Sequence, residues 1–515
     1  MPRTTAPLCV TPASRFPACW GFPATTENLR AAAGPPGREG TMNLIITIAC
    51  ITALVFFSAV LYGRLRKFEP SRPLPLEGQA FPDGFLWATG EDAYQHEGGN
   101  FNNDWARWEA TSPSPIDNGD RCGRSVDFYN RHEEDFLLSK RDGHNAHRIG
   151  VEWSRLEPAE GVYDEQAFAH YGKMLASMKE KGFAVFLNLW HFTLPLWAAD
   201  LGGFENPGVR ARWEEFVRRC AVNFAPYVDY WSTMIDAQIY ALAGYGVGDI
   251  PPNRKDMKAA MEMYRTLVRM HGRACHIIKK HARRDERGVT VEPRVGMIYF
   301  FFYFQPRGFF LDRLVYRQMD DIFNWNMLDA LHTGTLKLNV LGGPSITETS
   351  DDYKNTLDWI GINYYTREVL SFSPFTPGFI RRETVKGHPA TDMGWEIYPE
   401  GLYRLCKKIS ARYPGVPLII AESGLADEQD RQRPRFIVDH LLWTHKLIDE
   451  GVPVKGYTYW SLTDNWEWAH GFWPKFGLYR VATDTLERKE TRSARLYRFI
   501  ASNNRLPTEE EFESL

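Results

Sequence analysis

The chain has 515 residues, of which 44% are hydrophobic and 24% charged, and its formal net charge is −3. This is the composition of a globular protein, and the near-neutral balance without a long basic run excludes nucleic acid as an expected partner. Aromatic residues make up 14% of the chain, which indicates either a large core or flat platforms for sugar rings.

An apolar run near the amino terminus predicts a membrane span. The run from Leu44 to Leu61 has 18 uncharged, mostly apolar residues, which is the lower end of what crosses a bilayer. We therefore expect a transmembrane helix over residues 42–63. A buried helix and a cleaved signal peptide are the alternatives, but the run has no amphipathic pattern and no convincing small-x-small cleavage site follows it.

The segments around this run complete the expected amino-terminal organisation. Residues 1–41 are rich in Pro, Ala, Gly and Thr and are predicted to be disordered, and Met42 is a candidate true start codon. Arg64, Arg66 and Lys67 follow the run and favour a single-pass membrane protein with its main domain in the cytoplasm, although arginines upstream of the run blur that prediction. Residues 64–80 contain three prolines and are typical of a stiff linker.

Cysteine spacing gives no sign of a metal site. Seven Cys are scattered without a CxxC or Cys/His pattern, and no phosphate-binding loop occurs, so no metal or organic cofactor is expected. The four cysteines of the main body are predicted to be buried thiols rather than disulfides: Cys122, Cys220, Cys275 and Cys406.

Eight apolar, β-rich runs alternate with helical stretches between residues 81 and 500. This order predicts an α/β fold, a (β/α)8 TIM barrel in one long domain, followed by a tail over residues 501–515. A doubly wound sheet is the alternative, but no GxGxxG follows the first strand. The predicted strands are residues 84–89, 146–153, 184–190, 230–235, 295–303, 359–364, 417–421 and 454–462.

Polar and aromatic residues follow these strands, at the rim where barrel enzymes hold their active sites. The set is rich in carboxylates, amides and Trp, which suits hydroxyl-bearing, uncharged ligands such as sugars. It comprises Gln95, Glu97, Arg148, Glu152, His191, Asp236, Asn363, Tyr365, Glu422, Trp460, Asp464, Glu467 and Trp468. Glu422 is the most informative of them, because an apolar β-type run ends there in a lone carboxylate followed by Ser-Gly.

Eight short motifs, in order across about 400 residues, resemble those of the family 1 glycoside hydrolases, the β-glucosidase type with a (β/α)8 barrel. They are Phe81-Pro-Asp-Gly-Phe-Leu-Trp87, Tyr94-Gln-His-Glu-Gly98, Arg148-Ile-Gly-Val-Glu-Trp-Ser-Arg155, His191-Phe-Thr-Leu-Pro195, Trp359-Ile-Gly-Ile-Asn-Tyr-Tyr365, Gly394-Trp-Glu-Ile-Tyr-Pro399, Ile420-Ala-Glu-Ser-Gly424 and Trp460-Ser-Leu-Thr-Asp-Asn-Trp-Glu-Trp468. Each motif alone is weak, but the ordered set is very specific.

The resemblance implies a retaining β-glycosidase that works by double displacement between two carboxyls about 5–5.5 Å apart. It implies that Glu422 is the nucleophile, that Arg148 keeps it ionised, and that Tyr365 donates a hydrogen bond to it. The resemblance also implies a set of substrate-binding residues, namely Gln95, His191, Asn363, Trp460, Glu467 and Trp468.

The chain departs from the family after the fourth strand. The family motif Thr-x-Asn-Glu-Pro aligns with Thr233-Met-Ile-Asp-Ala237, so Asp236 stands at the acid/base position and Ile235 replaces the Asn that binds the sugar 2-hydroxyl. Asp is shorter than Glu by one carbon–carbon bond, about 1.5 Å. With an unmoved backbone the carboxyl gap widens to about 6–7 Å, the border of inverting geometry. Phe192 also stands where Trp is usual.

Three functions remain open on the sequence. The first is a retaining glycosidase or transglycosidase with a shortened acid/base; the second is a sugar-binding protein on a catalytically impaired barrel; the third is an enzyme with inverting chemistry or with transfer onto lipid acceptors. The expected partner is a small glycoside or a glycolipid. The sugar, the aglycone and the oligomeric state stay open.

A membrane anchor would favour glycolipid or alkyl glycosides, although a plain tether explains it equally. Two aromatic runs, residues 300–304 and 309–311, are candidates for an apolar aglycone cleft, for a membrane-facing surface or for core.

Overall fold

The structure is a computed structural model that describes residues 37–286, 289–341 and 343–515. Its centre is a barrel of eight parallel strands, each paired with the next in the chain, and the eighth paired with the first. The strands are β1 (Leu86–Glu91), β2 (Ala146–Gly150), β3 (Ala184–Asn188), β4 (Tyr230–Ile235), β5 (Arg294–Pro306), β6 (Trp359–Phe372), β7 (Leu418–Ser423) and β8 (Val454–Tyr459).

The closed ring confirms the predicted (β/α)8 barrel and excludes the doubly wound alternative. All eight pairings are parallel, and β5 pairs with β6 over the longest stretch, from Trp359 opposite Gly296 to Leu370 opposite Pro306. Because parallel strands share one direction, their carboxyl ends meet at one rim of the barrel. Every predicted strand overlaps an observed one, and β5 and β6 extend beyond their predicted ends.

Helices follow each strand and surround the barrel. The principal ones are Phe128–Arg141, Glu165–Glu180, Pro207–Phe224, Met257–His281, Asn326–Thr333, Pro399–Arg412, Arg433–Asp449 and Arg492–Asn503. Further helices lie in the connections: Ala93–Glu97, Asp104–Glu109, Trp153–Leu156, Leu196–Asp200, Ala237–Ile239, Phe310–Asp320 and Glu509–Ser514. π-Helical turns lie at Tyr240–Val247 and Asp321–Trp325. 3₁₀ turns lie at Asp117–Gly119, Gly203–Glu205, Asp351–Tyr353, Pro377–Phe379 and Trp468–His470.

The helix Met257–His281 illustrates why these segments are helical. Asp256 caps its start by accepting from the backbone N–H groups of Lys258 and Ala259. Its last turn carries Lys279, Lys280 and His281, which suit the negative end of the helix dipole. The buried side chains between these ends recur every three or four residues, as on an amphipathic helix packed against the barrel.

Short antiparallel pairs decorate the barrel without changing its topology. Arg284–Glu286 pairs with Val289–Val291, Thr335–Asn339 with Ser345–Thr349, Tyr479–Val481 with Arg488–Glu490, and Ile380–Glu383 with the end of β6. The four cysteines predicted to be buried thiols are buried and free, as expected.

The barrel interior is a small apolar cluster separate from the larger core under the helices. It consists of Ala88, Ala146, Phe186, Ile235, Ile298, Trp359, Ile419 and Ala421. Phe186 stacks on Tyr230 with ring centroids 4.3 Å apart and meets Trp359 edge-on at 5.7 Å. These rings fill part of the barrel interior below the rim with apolar side chains.

A helix in the amino-terminal segment overlaps the one predicted over residues 42–63. The chain divides into two units, Met1–Ala59 and Val60–Leu515, and a helix runs over Gly37–Leu65. Most of the segment expected to be disordered, residues 1–36, lies outside the described residues.

The predicted membrane localisation is wrong. Within the part of the chain that the structure describes, no helix combines the length and the apolar character needed to cross a bilayer. The run from Leu44 to Leu61 lies within Gly37–Leu65, but Thr47, Thr52 and Ser58 interrupt it.

The packing inside the barrel predicts a large loss of stability for Phe186→Ala. The side chain is 5% exposed, and its removal leaves a cavity between Tyr230 and Trp359, so we expect a loss of about 3–5 kcal/mol in the free energy of unfolding. Urea unfolding measures it. The control Phe101→Ala, at a side chain that is 66% exposed, should change stability by less than about 0.5 kcal/mol; equal effects would contradict the packing argument.

Candidate active site

A cavity of about 330 Å³ opens at the carboxyl ends of the barrel strands. This size lies within the range of small-molecule sites, about 300–1,000 Å³. Eight of the ten residues predicted for the site line it: Gln95, His191, Asp236, Tyr365, Glu422, Trp460, Glu467 and Trp468. The other two touch lining residues, since Arg148 contacts Glu422 and Asn363 contacts Asp236.

Glu422 lies at the end of β7, held by one cation and one hydroxyl. Its Oε1 is 2.8 Å from Nη2 of Arg148, and its Oε2 accepts a hydrogen bond of 2.8 Å from the Tyr365 hydroxyl. The carboxyl is 5% exposed. Both contacts favour the ionised form, which is the form that can attack as a nucleophile.

The surroundings of Glu422 shift its pKa in opposite directions. Burial raises its pKa, Arg148 lowers it, and the negative charge of Asp92 raises it again, so that the net shift is upward. The Arg148 guanidinium is fully buried and stays charged, since its neighbouring carboxylates raise its own pKa. The ion pair with Arg148 therefore offsets part of the cost of burying the ionised Glu422.

Asp236 directly follows β4, next to Glu422. Burial and the charge of Glu422 together raise the pKa of Asp236 well above its usual range. The Nδ2 of Asn363 donates to both carboxyl oxygens of Asp236, at 3.2 and 3.4 Å. A carboxyl that stays protonated beside an ionised one is the electrostatic pattern of an acid and a nucleophile that share a site.

Irregularities in the sheet aim these side chains. The register between β6 and β7 shifts after Ile362, which sets Asn363 opposite Glu422, and the register between β4 and β5 shifts before Ile235. Asp236 itself has φ of 54°, a left-handed conformation that Asp tolerates better than most residues. Bulges of this kind commonly redirect a side chain at a barrel rim.

Ile235, which stands where the family has a sugar-binding Asn, does not face the cavity. Its side chain is fully buried among the apolar residues of the barrel interior, including Ile298 and Ala421. Its backbone N–H donates to the carbonyl of Trp190. No contact between this side chain and a bound ligand is available in this arrangement.

Gln95 and Glu467 are polar residues of the cavity lining, to which the indoles of Trp460 and Trp468 also belong. Trp460 Nε1 donates to Glu467 Oε1 at 3.1 Å, and Gln95 Nε2 donates to the Trp466 carbonyl at 2.7 Å. Burial raises the pKa of Glu467 well above its usual range. Within the described residues, Gln95 Oε1 and Asn363 Oδ1 accept no hydrogen bond. Buried acceptors left open in this way suit the hydroxyl groups of a ligand.

The remaining lining is strongly apolar. It is formed by aliphatic and aromatic side chains from several loops: Trp105, Phe192, Ile239, Ile250, Phe300, Met393, Trp395 and Phe476. Phe300 stacks on Tyr365 with centroids 5.6 Å apart. The cavity therefore has polar groups suited to hydroxyl groups and an apolar wall, formed by these side chains, suited to an apolar group. Of the aromatic runs singled out in the sequence, Phe300 lines this wall, whereas Phe301 and Phe304 belong to the core.

Three other candidate carboxylates lie outside the cavity lining. Glu97 pairs with Arg155 and accepts from the Tyr171 hydroxyl. Glu152 accepts from several neighbours including Thr193, and Asp464 accepts from the Gly477 N–H.

The carboxylate of Asp92 contacts residues of the site but was not predicted from the sequence. It contacts Arg148 and His191. Its position directly after β1 was the only local signal.

Comparisons with known proteins agree on one family. Residues 77–506 match the family described as "Glycosyl hydrolase family 1". The chain is 30% identical to a β-galactosidase of Pyrococcus woesei, over 84% of this chain and 99% of that protein. It is 28% identical to β-glucosidase A of Thermotoga maritima, over 83% and 98%.

Solved structures give the same result. A β-glycosidase from Pyrococcus horikoshii superposes with a TM-score of 0.76 at 31% identity, covering 86% of this chain and 98% of that one. The family 1 β-glucosidase from Thermotoga maritima in complex with isofagomine lactam superposes with a TM-score of 0.75 at 27% identity, covering 84% and 100%.

The raised pKa of Asp236 predicts that Asp236→Asn stabilises the chain. In the unfolded chain this carboxyl has a pKa of about 3.9, and in the folded chain it is higher, so the folded state binds the proton more tightly. Stability is therefore lost as the pH rises from the unfolded to the folded pKa. Asn removes that loss while it still accepts from Asn363.

Urea unfolding at about pH 4 and about pH 8 tests this expectation. The variant should exceed the wild type in free energy of unfolding, and by more at the higher pH. Asp83→Asn, at an exposed position, serves as the control and should follow the wild type at both. A variant less stable than the wild type at the higher pH would contradict the assigned shift.

Proposed function

Because the chain belongs to glycosyl hydrolase family 1, we propose that it hydrolyses β-O-glycosides, of the β-glucoside or β-galactoside type, by double displacement with retention. Residues 81–500 are the proposed catalytic domain. The observation that carries the proposal is the cavity in which Glu422, paired with Arg148 and Tyr365, lies beside Asp236 with its raised pKa. The names of the relatives, β-galactosidase and β-glucosidase, agree with it.

In the first step Glu422 attacks the anomeric carbon, and the bond from that carbon to the aglycone oxygen breaks. Asp236 donates its proton to the leaving oxygen, which its raised pKa supports. Tyr365 donates to the nucleophile, which holds the attacking oxygen in place. The product is a glycosyl ester of Glu422 with a released alcohol.

In the second step the oxygen of water attacks the anomeric carbon of the glycosyl ester, and the bond from that carbon to the Glu422 oxygen breaks, which restores the carboxylate and releases the sugar. Ester formation removes the negative charge of Glu422, and that charge is one of the causes that raise the pKa of Asp236. The pKa of Asp236 therefore falls when the intermediate forms, and the residue can take the proton from the attacking water. One carboxyl thus acts first as acid and then as base.

The sugar is proposed to lie against the polar wall. Gln95, His191, Asn363 and Glu467 supply donors and open acceptors for hydroxyl groups, while Trp460 and Trp468 supply flat surfaces for the C–H faces of a sugar ring. Recognition through several hydroxyl contacts agrees with the open acceptors on Gln95 and Asn363.

The aglycone is proposed to be apolar, as in alkyl glycosides or glycolipids. Ile239, Ile250, Phe300 and Met393 are half-buried side chains that line the cavity. Such a wall offers an alkyl chain contact without unpaired polar groups. It would equally hold a lipid alcohol as acceptor, which makes sugar transfer onto lipids a variant of the same proposal.

A second candidate is a sugar-binding protein with impaired turnover. It is favoured by the degenerate acid/base motif: Asp236 is short for an acid, and Ile235 is buried in the barrel interior, where it cannot contact a sugar hydroxyl. This candidate predicts saturable glycoside binding in calorimetry without hydrolysis.

Hydrolysis of nitrophenyl β-glucoside and β-galactoside by the full chain separates the two candidates. Nitrophenolate leaves without much protonation, so the substrate tolerates a poor acid. We expect turnover in the wild type and a loss of several orders of magnitude in Glu422→Ala. Turnover that survives this substitution would refute the nucleophile. A folded wild type that binds but does not hydrolyse would support the sugar-binding candidate.

Asp236→Glu should improve catalysis selectively. The added methylene moves the carboxyl by about 1.5 Å toward the leaving oxygen, and restored acid catalysis is expected to raise the turnover of methyl β-glucoside by about 10²-fold. Nitrophenyl β-glucoside serves as the internal control, since its turnover should change little. Equal changes on both substrates would mean that protonation is not what the short side chain limits.

The apolar wall predicts a preference for longer alkyl chains. Each buried methylene contributes about 0.8 kcal/mol, so kcat/KM for alkyl β-glucosides should rise about fourfold per methylene until the wall is covered. Ile250→Ser should flatten this dependence. Val222→Ser, on the surface and 51% exposed, is the matched control and should leave it unchanged. A wild type indifferent to chain length would contradict the aglycone assignment.

A further inference from the structure

Asp92 is a buried carboxylate in the centre of the site that the mechanism above does not use. It directly follows β1 and is 1% exposed. Its Oδ2 is 3.3 Å from Nη2 of Arg148 and 3.0 Å from Nδ1 of His191. Its Oδ1 accepts no hydrogen bond within the described residues. One oxygen therefore contacts two residues of the catalytic and sugar-binding groups.

Arg148 is shared between Asp92 and the nucleophile. The same nitrogen, Nη2, lies 2.8 Å from Glu422 Oε1 and 3.3 Å from Asp92 Oδ2. Arg148 is almost fully buried, so little water screens this arrangement. A guanidinium divided between two carboxylates neutralises each of them less than it would a single partner. Asp92 therefore takes part of the charge that would otherwise stabilise Glu422.

His191 has its proton position set by the same carboxylate. An ionised carboxylate accepts hydrogen bonds and cannot donate, so the 3.0 Å contact with Asp92 favours the proton on Nδ1 of the ring. His191 lines the cavity, and its second nitrogen, Nε2, is left for a ligand. In the neutral ring Nε2 is then an acceptor for a sugar hydroxyl.

We propose that Asp92 is a positioning residue that tunes the Glu422 nucleophile through their shared guanidinium and fixes the ring of His191 for a sugar hydroxyl. The inference rests on the proposed glycosidase function and deepens it. By drawing Arg148 away, Asp92 leaves Glu422 more basic and therefore a better nucleophile. By accepting from Nδ1, it sets which hydrogen bond the sugar meets.

The ionisation of the site agrees with this role. Although burial raises the pKa of Asp92, the charge of Arg148 and the contact with His191 lower it to about 2, so it is an anion throughout the neutral range. Its charge in turn raises the pKa of Glu422.

Titratable and charged groups from several elements face Asp92 and Glu422. They are His96 from the helix after β1, Arg148 from β2, His191 after β3, Asp236 after β4, Tyr365 from β6 and Glu467 after β8. Asp236 and Glu467 have raised pKa values, so Asp92 is the acid of this group that carries the most persistent negative charge.

The first test measures how fast the full chain is trapped by a dinitrophenyl 2-deoxy-2-fluoro-β-glucoside across a range of pH. This reagent forms the glycosyl ester at the nucleophile and needs little acid assistance, so its acidic limb reports the ionisation of Glu422. In Asp92→Asn, Arg148 pairs with Glu422 alone. We expect the limb to move to lower pH and the plateau rate to fall. A limb that stays in place would overturn the proposal.

The matched control is Asp142→Asn. Asp142 is another buried carboxylate, 2% exposed in its side chain, that accepts from Arg141 and Arg498 near the amino-terminal end of β2. A purely structural effect of losing a buried ion pair should appear in both variants as reduced stability without a moved limb. A limb that moves equally in Asp142→Asn would overturn the specific role of Asp92.

A second test does not depend on turnover. Nitrogen-15 NMR of histidine-labelled full chain, with the His191 signal assigned through His191→Gln, reports which ring nitrogen carries the proton. We expect Nδ1–H in the wild type and a loss of that preference in Asp92→Ala; an unchanged preference would overturn the positioning of His191. If the wild type is not trapped at all, the proposed function fails, while the NMR result still decides the contact with Asp92.

Discussion

The hydrogen bonds that close β8 onto β1 make the sheet a ring, and the site exists because of that closure. Arg148 lies on β2, Asp236 after β4, Tyr365 on β6 and Glu422 on β7. These positions are far apart along the chain, but the strands run in one direction and their ends meet at one rim. Below the rim, the apolar cluster that contains Phe186 and Trp359 forms an apolar layer under the polar groups of the site.

Because the residues of the site are buried, the charge of each one affects the ionisation of the others. Asp92, Asp236, Glu422 and Glu467 are all buried around the single guanidinium of Arg148. In such surroundings a charge costs free energy unless a partner offsets it, so the carboxyls divide into those that stay ionised and those that stay protonated. Arg148 helps to hold the pKa of Asp92 at about 2, whereas burial raises the pKa of Asp236 and of Glu467 well above their usual range. The burial of these carboxyls supports the proposed acid and nucleophile roles, but it also lowers the free energy of unfolding.

The altered motif after β4 has a structural counterpart. Ile235 completes the apolar interior of the barrel instead of facing the cavity, and the next residue, Asp236, adopts a left-handed conformation at the strand end. The donor that reaches the acid is Asn363, from β6. The polar contact to the acid thus comes from β6, a strand that does not pair with β4, and part of the cavity lining is apolar. Together these features favour a substrate held by its aglycone as well as by its sugar.

The amino-acid sequence by itself determined the eight strands and the position of Glu422, because burial leaves a local pattern of apolar residues that ends where a polar rim begins. Hydropathy along the run from Leu44 to Leu61 predicted a membrane span, but no helix among the described residues is long and apolar enough to cross a membrane. The contacts of Asp92 with Arg148 and His191, and the apolar wall of Ile239, Ile250 and Met393, could not be predicted from local patterns. Only the tertiary structure decided them, because their neighbours come from other strands and loops, and those contacts arise when the ring closes.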